Sequence, residues 1–276
     1  MKEVKFMACR DTIGTNNQMR METSTQVSRT EDSISLSTGP FYFGVDSATR
    51  ADTVLQNNLT LFDWVTRNKM YPNYWGRYIG GEKNITHEEL DFLHQKGCKV
   101  AFIYNGCVKN KMTLEQQGVI DGKNAAISAI ELKVPENNVI FLEVNPMENV
   151  TDAYLKGFAE SLIQEGYAPG FCANTDSHYD FDHQFSRGYQ NNPEIFGQCL
   201  IWAVSPSIPE YYRTTDTHMV YPDTWTPFCP SGMTQNQIAI WQYGRECHPI
   251  LDHSGNTTSF DISIIQDASI LLNKLF

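Results

Sequence analysis

Residues 138–174 read NVIFLEVNPMENVTDAYLKGFAESLIQEGYAPGFCAN. The first eight, NVIFLEVN (138–145), form an apolar, β-rich run; VTDAYLKGFAESLIQEG (150–166) is a helical stretch; APGFCAN (168–174) is a second short apolar run. A strand, a helix and a strand in this order make a βαβ unit, which sets parallel strands side by side with a helix packed across them. One acid, Glu143, interrupts the first run near its end, and Asn145 and Pro146 close it. A carboxylate in a stretch that reads as a buried strand asks for a functional reason, because burying an unpaired charge is costly.

The same alternation extends in both directions. Upstream, FYFGVD (41–46) precedes ADTVLQNNLTLFDWVTRN (51–68), YWGRYIGG (74–81) precedes THEELDFLHQKG (86–97), and KVAFIYNG (99–106) precedes GVIDGKNAAISAIELK (118–133). Thr86, three residues before Glu89, predicts a capping box, and Gly97 predicts the glycine that ends that helix. Downstream, CLIWAVSP (199–206), IAIWQYG (238–244) and FDISII (260–265) complete eight candidate strands, joined by segments heavy in Pro, Tyr, Asp and Thr with little helical pattern. The fold class expected is α/β, a single (β/α)8-type TIM-like barrel over residues 39–276 with an irregular, helix-poor last third. An open doubly wound sheet is the competing architecture, but no GxGxxG or GxxxxGK[ST] follows the first strand.

Residues 1–38 differ in kind. They are rich in Ser, Thr, Asn and Gln and lack a core-forming period, so they read as a polar N-terminal arm, available for contact with a partner. No uninterrupted apolar core of a signal peptide stands at the start, and no run approaches the ~20 apolar residues of a membrane span. A cytoplasmic location and a non-classical or phage-type route of export both stay open.

The whole chain has 276 residues, 41% hydrophobic and 19% charged, the balance of a folded globular protein. Its net charge of −11 argues against nucleic acid as a partner, since phosphate backbones need clustered Lys and Arg. Seven cysteines show no CxxC or Cys/His metal spacing, and their odd number leaves at least one thiol free unless it pairs with another chain. NTDSHYDFDHQ (174–184) is dense in oxygen and imidazole ligands, yet it lacks the Gly and the closing Glu of an EF-hand and reads as a solvated acidic loop. No GxSxG elbow is present, and nothing in the chain calls for a cofactor or a metal.

In barrels of this type the active site lies at the C-terminal ends of the strands. The polar residues that bound the apolar runs are Asp46, Arg77, Tyr104 with Asn105, Glu143 with Asn145, Asn174, Ser205, Gln242 with Tyr243, and Asp261. Three carboxylates from three strands, with Tyr78, Tyr104, Trp202, Trp241 and Tyr243 beside them, suit a sugar site: acids for proton transfer and flat apolar faces for pyranose rings. Each also has a plainer reading. Asp46 fits a helix cap or turn, Arg77 an ion partner of one of the acids, Trp202 and Trp241 barrel core, and Asp261 a capping or pairing role.

The blocks FGVDSAT, GRYIGG, ITHEELDFLHQKG, VAFIYNG, DGKNAAISAIELKVPENNVIFLEVNP, YLKGFAESLIQEGYAPGFCAN and IAIWQYG, in that order, resemble the glycoside-hydrolase-like domain family of bacterial proteins related to the family 25 lysozymes. The resemblance covers about residues 40–266. It implies a TIM-like barrel with a degenerate last third and a cell-wall glycan as partner. Family 25 lysozymes cut peptidoglycan with an Asp ending the first strand, an Asp-x-Glu pair ending the fourth and an Asp on the last. By resemblance Asp46 and Asp261 match the first and the last, and the pair falls on Glu143 and Asn145. The proton donor of those lysozymes therefore falls on an amide, which cannot act as a general acid.

Two functional readings follow. In the first, the chain is a muramidase-like glycoside hydrolase in which Glu143 is the acid, Asp46 and Asp261 stabilise charge or orient the substrate, and Arg77, Tyr104, Asn145, Asn174, Trp202, Trp241 and Gln242 hold the sugar. In the second, the same groove binds glycan without cutting it.

Overall fold

The computed structural model describes residues 41–68, 70–107, 111–212, 222–234 and 237–276. The arm expected over residues 1–38 lies outside the described residues. Strands β1 (Tyr42–Asp46), β2 (Tyr74–Ile79), β3 (Lys99–Tyr104), β4 (Val139–Val144), β5 (Ala168–Ala173), β6 (Leu200–Val204), β7 (Ile238–Leu251) and β8 (Thr257–Ile265) close a barrel in sequence order. Helices α1 (Leu61–Arg67), α2 (His87–Gln95), α3 (Glu115–Glu131), α4 (Asp152–Gln164) and α5 (Asp180–Asn191), with the short α6 (Pro193–Phe196), link the first six strands. Among the described residues between β6 and β7 there is no α-helix, and none of the described helices is long and apolar enough to cross a membrane.

All eight candidate strands form. The departure from a regular (β/α)8 barrel is the direction of β8, which runs antiparallel to both β7 and β1. The cause is the short link after β7: residues 252–256 form a turn in which Asp252 Oδ1 accepts from the amides of Ser254 and Asn256 and Gly255 takes φ +83°. A turn this short can only fold a strand back on its neighbour, since a parallel crossover needs a dozen residues or more.

Side chains alternate between two apolar layers, as the period of a strand requires. Tyr74, Ala101, Ile103, Val139, Phe141, Trp202, Ile240 and Ile265 fill the barrel interior, together with Leu271 and Leu275. Trp75, Val100, Phe102, Tyr104, Ile140, Leu142, Phe171 and Trp241 face the other way, into a layer with Leu90, Tyr154, Phe158 and Phe181 from the helices.

Local signals set the helix ends. Thr86 caps α2 by accepting from the Glu89 amide at 3.3 Å, and Gly97, at φ +71°, ends it. The amides of Gly97 and Cys98 return to the carbonyls of His94 and Leu93, a Schellman motif. The capping box is half built, because the Glu89 carboxylate is spent elsewhere. The helical stretch expected from residue 51 starts only at Leu61: Asn58 turns the chain at φ +62°, Val54 and Thr60 pair as an isolated bridge, and Thr60 caps α1 through the Asp63 amide.

Glu89 and Arg77 meet in the layer between sheet and helices, both nearly inaccessible to solvent. Arg77 Nε and Nη2 donate to the two carboxylate oxygens at 2.6 and 3.0 Å, and the Ala51 amide donates to Glu89 Oε1 at 2.8 Å. The guanidinium also donates to the backbone carbonyls of Ser47 (2.7 Å) and Lys83 (3.4 Å). One buried ion pair thus ties the loops after β1 and β2 to α2. Glu89→Ala, which leaves a buried guanidinium unpaired, is expected to cost about 3–5 kcal/mol in urea unfolding, and Glu89→Gln, which keeps one acceptor oxygen for Arg77 Nε and the Ala51 amide but turns a donor toward Nη2, less.

Candidate functional site

Where the parallel strands end, the barrel opens into a cleft of about 330 Å³ lined by Asp46, Tyr78, Glu143, Asn145, Asn174, Gln242, Arg245 and Asp261, with Cys172 and Met147 among the apolar walls. Asp46 is the last residue of β1 and stands in register with Asp261 of β8. Directly opposed residues on antiparallel strands have Cα atoms about 4.5–5.5 Å apart. Because β8 runs backwards, a residue early in it reaches the same mouth as residues late in the parallel strands.

Asp46 is buried from below. A Cβ at Gly76, its neighbour on β2, would lie 2.5 Å from Asp46 Cβ and 2.7 Å from Trp202 Cη2, so only glycine lets the carboxylate settle over the tryptophan. Asp46 is 7% exposed, and its Oδ1 has no hydrogen-bond partner among the described residues. Asp261 differs: Gln242 Nε2 donates to Oδ2 at 2.7 Å and the Glu246 amide donates to Oδ1 at 2.7 Å. That amide is aimed by a bulged part of β7, where the register with β8 shifts and Glu246 holds φ +52°.

These surroundings divide the labour within the pair. Burial, then the charges of Asp261 and Glu143, hold the Asp46 carboxyl well above the usual carboxylate range, with Arg245 opposing. Burial pushes Asp261 up to about 6, against the Glu246 amide and Arg245, which favour its ionised form. Both oxygens of Asp261 receive donors, which favours its ionised form, while Asp46 Oδ1 receives none, so of the two Asp46 is the one whose surroundings favour the protonated form.

Glu143 projects inward from β4, half-buried, and accepts a long 3.3 Å hydrogen bond from the Tyr78 hydroxyl. Burial first, then the charges of Glu143 and Asp46, raise the Tyr78 phenol, so it stays a donor. Cys172 forms part of the floor; burial and the same three carboxylates hold its thiol well above its ordinary range, so it is no thiolate nucleophile.

The structure gathers Asp46, Glu143, Asp261, Asn145, Asn174 and Gln242 around this cleft. It does not bring Arg77, Tyr104, Trp202 or Trp241 to it. Arg77 points outward to Glu89 on α2, a partner outside the three acids considered from sequence. Tyr104 also points outward, against Phe158 of α4. Trp241 lies in that same layer, donating from Nε1 to the Ser205 carbonyl at 2.7 Å. Trp202 faces inward but lies below the cleft as barrel core, packed on Tyr74 and Phe141. The reason is strand parity: on β2, Tyr74 and Tyr78 face in while Trp75 and Arg77 face out, so nearness to a strand end does not decide which side chain reaches the mouth.

Of the aromatics read as sugar platforms, Tyr78 alone lines the cleft. Arg245 and Met147 are lining residues that sequence reasoning missed. Met147, 91% exposed, follows the Asn145-Pro146 end of β4, and Arg245 lies past the strand end expected at Gly244.

The acidic segment 174–184 is not a solvated loop throughout. Asp180–Asn191 is helix α5, and Asp182, 1% exposed, accepts from the Ser231 amide (2.7 Å) and hydroxyl (3.0 Å). Asp176 pairs with His178. Among the described residues no group of three or more His, Cys, Asp or Glu side chains is arranged to hold a metal ion.

A family model described as "Rv2525c-like, glycoside hydrolase-like domain" matches residues 69–254. Among solved structures, an uncharacterized B. stearothermophilus protein determined at 1.07 Å is similar at 26% identity and a TM-score of 0.66, over 85% of this chain and 99% of that one. The Clostridium perfringens spore cortex lytic enzyme SleM is similar at 12% identity and a TM-score of 0.48, over 85% and 70%. The catalytic domain of endolysin ply40 from bacteriophage P40 of Listeria monocytogenes is similar at 11% identity and a TM-score of 0.49, over 85% and 97%. No match was found among curated proteins.

The raised carboxyls predict how stability varies with pH. Below about pH 4 the carboxyl of Asp46 is protonated folded and unfolded; as pH rises the unfolded chain releases that proton while the fold retains it, so the contribution to stability falls. Asp46→Asn removes this dependence. It should be near wild type in urea unfolding at about pH 4 and more stable than wild type at about pH 7.

Proposed function

As the chain belongs to the Rv2525c-like, glycoside hydrolase-like domain family, we propose that its barrel mouth is a glycosidase site for a bacterial cell-wall glycan, with muramidase-like hydrolysis as its reaction. The observation that carries this is three carboxylates from β1, β4 and β8 on one cleft, two of them with raised pKa. Glycoside hydrolysis needs a carboxylic acid that still holds its proton near neutral pH and a second carboxyl to meet the positive charge on the sugar ring.

Glu143 is the carboxyl on the open wall, with room for a glycosidic oxygen beside it. In this reading it relays a proton from the raised Asp46–Asp261 pair to the leaving oxygen, and Tyr78 holds its orientation. Asp46 and Asp261 together present one negative charge and one carboxylic acid across the cleft. They meet the developing charge at the anomeric carbon or orient an acetamido group as an internal nucleophile. Asn145, Asn174 and Gln242 supply amides for sugar hydroxyls.

A second reading, glycan binding without turnover, draws on Asn145, which lines the cleft where the related lysozymes place their acid by sequence resemblance. Two substitutions make opposite forecasts, read by product analysis on purified peptidoglycan and chitin oligomers. For the hydrolase, Glu143→Gln should remove nearly all turnover while glycan affinity stays within about 1 kcal/mol, and Asn145→Glu should not raise it. For the binding protein, Glu143→Gln changes little and Asn145→Glu creates activity. Saturable binding with no turnover in the wild type or Asn145→Glu would refute the hydrolase reading.

A further inference from the structure

Beside the carboxylate cleft lies a second pocket of about 220 Å³, and Asp46, Tyr78, Arg245 and Asp261 line both. The two therefore form one groove with the acids at the junction. Its far part is walled by the loop after β1 (Ser47, Thr49), the turn after β2 (Lys83) and the start of β8 (Thr258, Ser259). None of these residues is assigned a role by the hydrolysis itself.

This wall is built. The guanidinium of Arg77 donates to the carbonyls of Ser47 and Lys83, so one buried cation holds the backbone on two sides of the pocket. Ser47 Oγ donates to the Ser259 carbonyl at 2.7 Å, and Thr258 bonds Thr49 through their hydroxyls. The turn that carries Lys83 is fixed by the Asn84 side chain accepting from the Gly81 amide, and by the Ile85 amide donating to the Tyr78 carbonyl.

The charges are equally specific. Lys83 is exposed and makes no ion pair among the described residues; the ion pair of Arg245 is a long, exposed one with Glu210 at 3.5 Å, and its charge also acts on Asp46 and Asp261. Such a pairing contributes little and yields readily to a better anion. The acid in the same wall, Glu246, accepts from the Tyr211 hydroxyl and turns its amide toward Asp261. In a chain of net charge −11, Lys83 and Arg245 set two cations on the wall of one pocket, next to the clustered acids.

The geometry points to an anion subsite, in which Lys83 and Arg245 bind a carboxylate or phosphate carried by the sugar next to the one at the acids. This rests on the glycosidase reading and deepens it. The glycan is an acidic one, and its anionic substituent fixes the register in which the chain lies across the cleft. Hydroxyls of Ser47, Thr49 and Thr258 line the subsite for the sugar that bears the charge. An Arg and a Lys suit either anion, the first through a planar fork and the second as a point charge.

The test is equilibrium binding of four probes to the full chain: chitotetraose, a muramyl tetrasaccharide with free carboxyls, its carboxyl-reduced form, and a 6-phosphorylated chitotetraose. At least one anionic probe should bind about tenfold tighter than its neutral counterpart at low salt, an advantage that shrinks with added salt. Lys83→Gln and Arg245→Gln should each reduce that advantage several-fold. Preference for the carboxylate or for the phosphate probe identifies the source of the anion. Equal affinity for all four, or an advantage that survives both substitutions, overturns the subsite while leaving glycan binding in place. Failure to bind any of the four removes the glycan reading and the subsite with it. A circular dichroism melt of each variant separates loss of the subsite from loss of the fold.

Discussion

The pairing of β1 with β8 is the constraint on which the rest of this molecule turns. A barrel of seven parallel strands must still be closed, and here the closing strand is the second arm of a hairpin and runs against all the others. Closure by an antiparallel strand brings its early residues to the mouth. Asp261 arrives opposite Asp46 for that reason. Two carboxylates face to face over an apolar floor cannot both ionise cheaply, so the seam that completes the barrel also creates a site that retains a proton.

That arrangement is costly, and its supports can be named. Gly76 gives up a side chain so that Asp46 can settle over Trp202. The bulge in β7 holds Glu246 in a left-handed conformation, uncommon for a non-glycine residue, and its amide thereby meets Asp261. The Arg77–Glu89 pair, which never reaches the cleft, keeps the adjoining loops in place from behind.

Much of the architecture was legible in the sequence, because the signals that carried it are local. Eight apolar runs became eight strands, Thr86 capped α2, and Gly97 ended it. The direction of β8 was also written locally, in the five residues between two strands, but it becomes informative only once both strand ends are known. The three carboxylates were legible as acids bounding apolar runs. What failed was the choice of their companions. Arg77, Tyr104 and Trp241 stand near strand ends yet face the helices, since a shift of one residue along a strand exchanges interior for exterior. Tyr78, in phase with Gly76 and Tyr74, was the position that this alternation favours. Arg245 could not have been found by pattern, as it depends on a strand that continues past its expected end and bulges there.

The seam has a consequence for the life of the polypeptide before it is whole. Ser47 and Ser259, hydrogen-bonded beside the two aspartates, stand 212 residues apart in the chain. Everything from β1 through β7 can emerge from a ribosome without the acid pair existing, since its second member arrives only with the last strand. The pair of facing aspartates exists only once β8 lies against β1. A chain interrupted before that strand would be a partly built barrel with an open edge and no assembled chemistry. The acid pair is therefore withheld, by topology alone, until the barrel is closed.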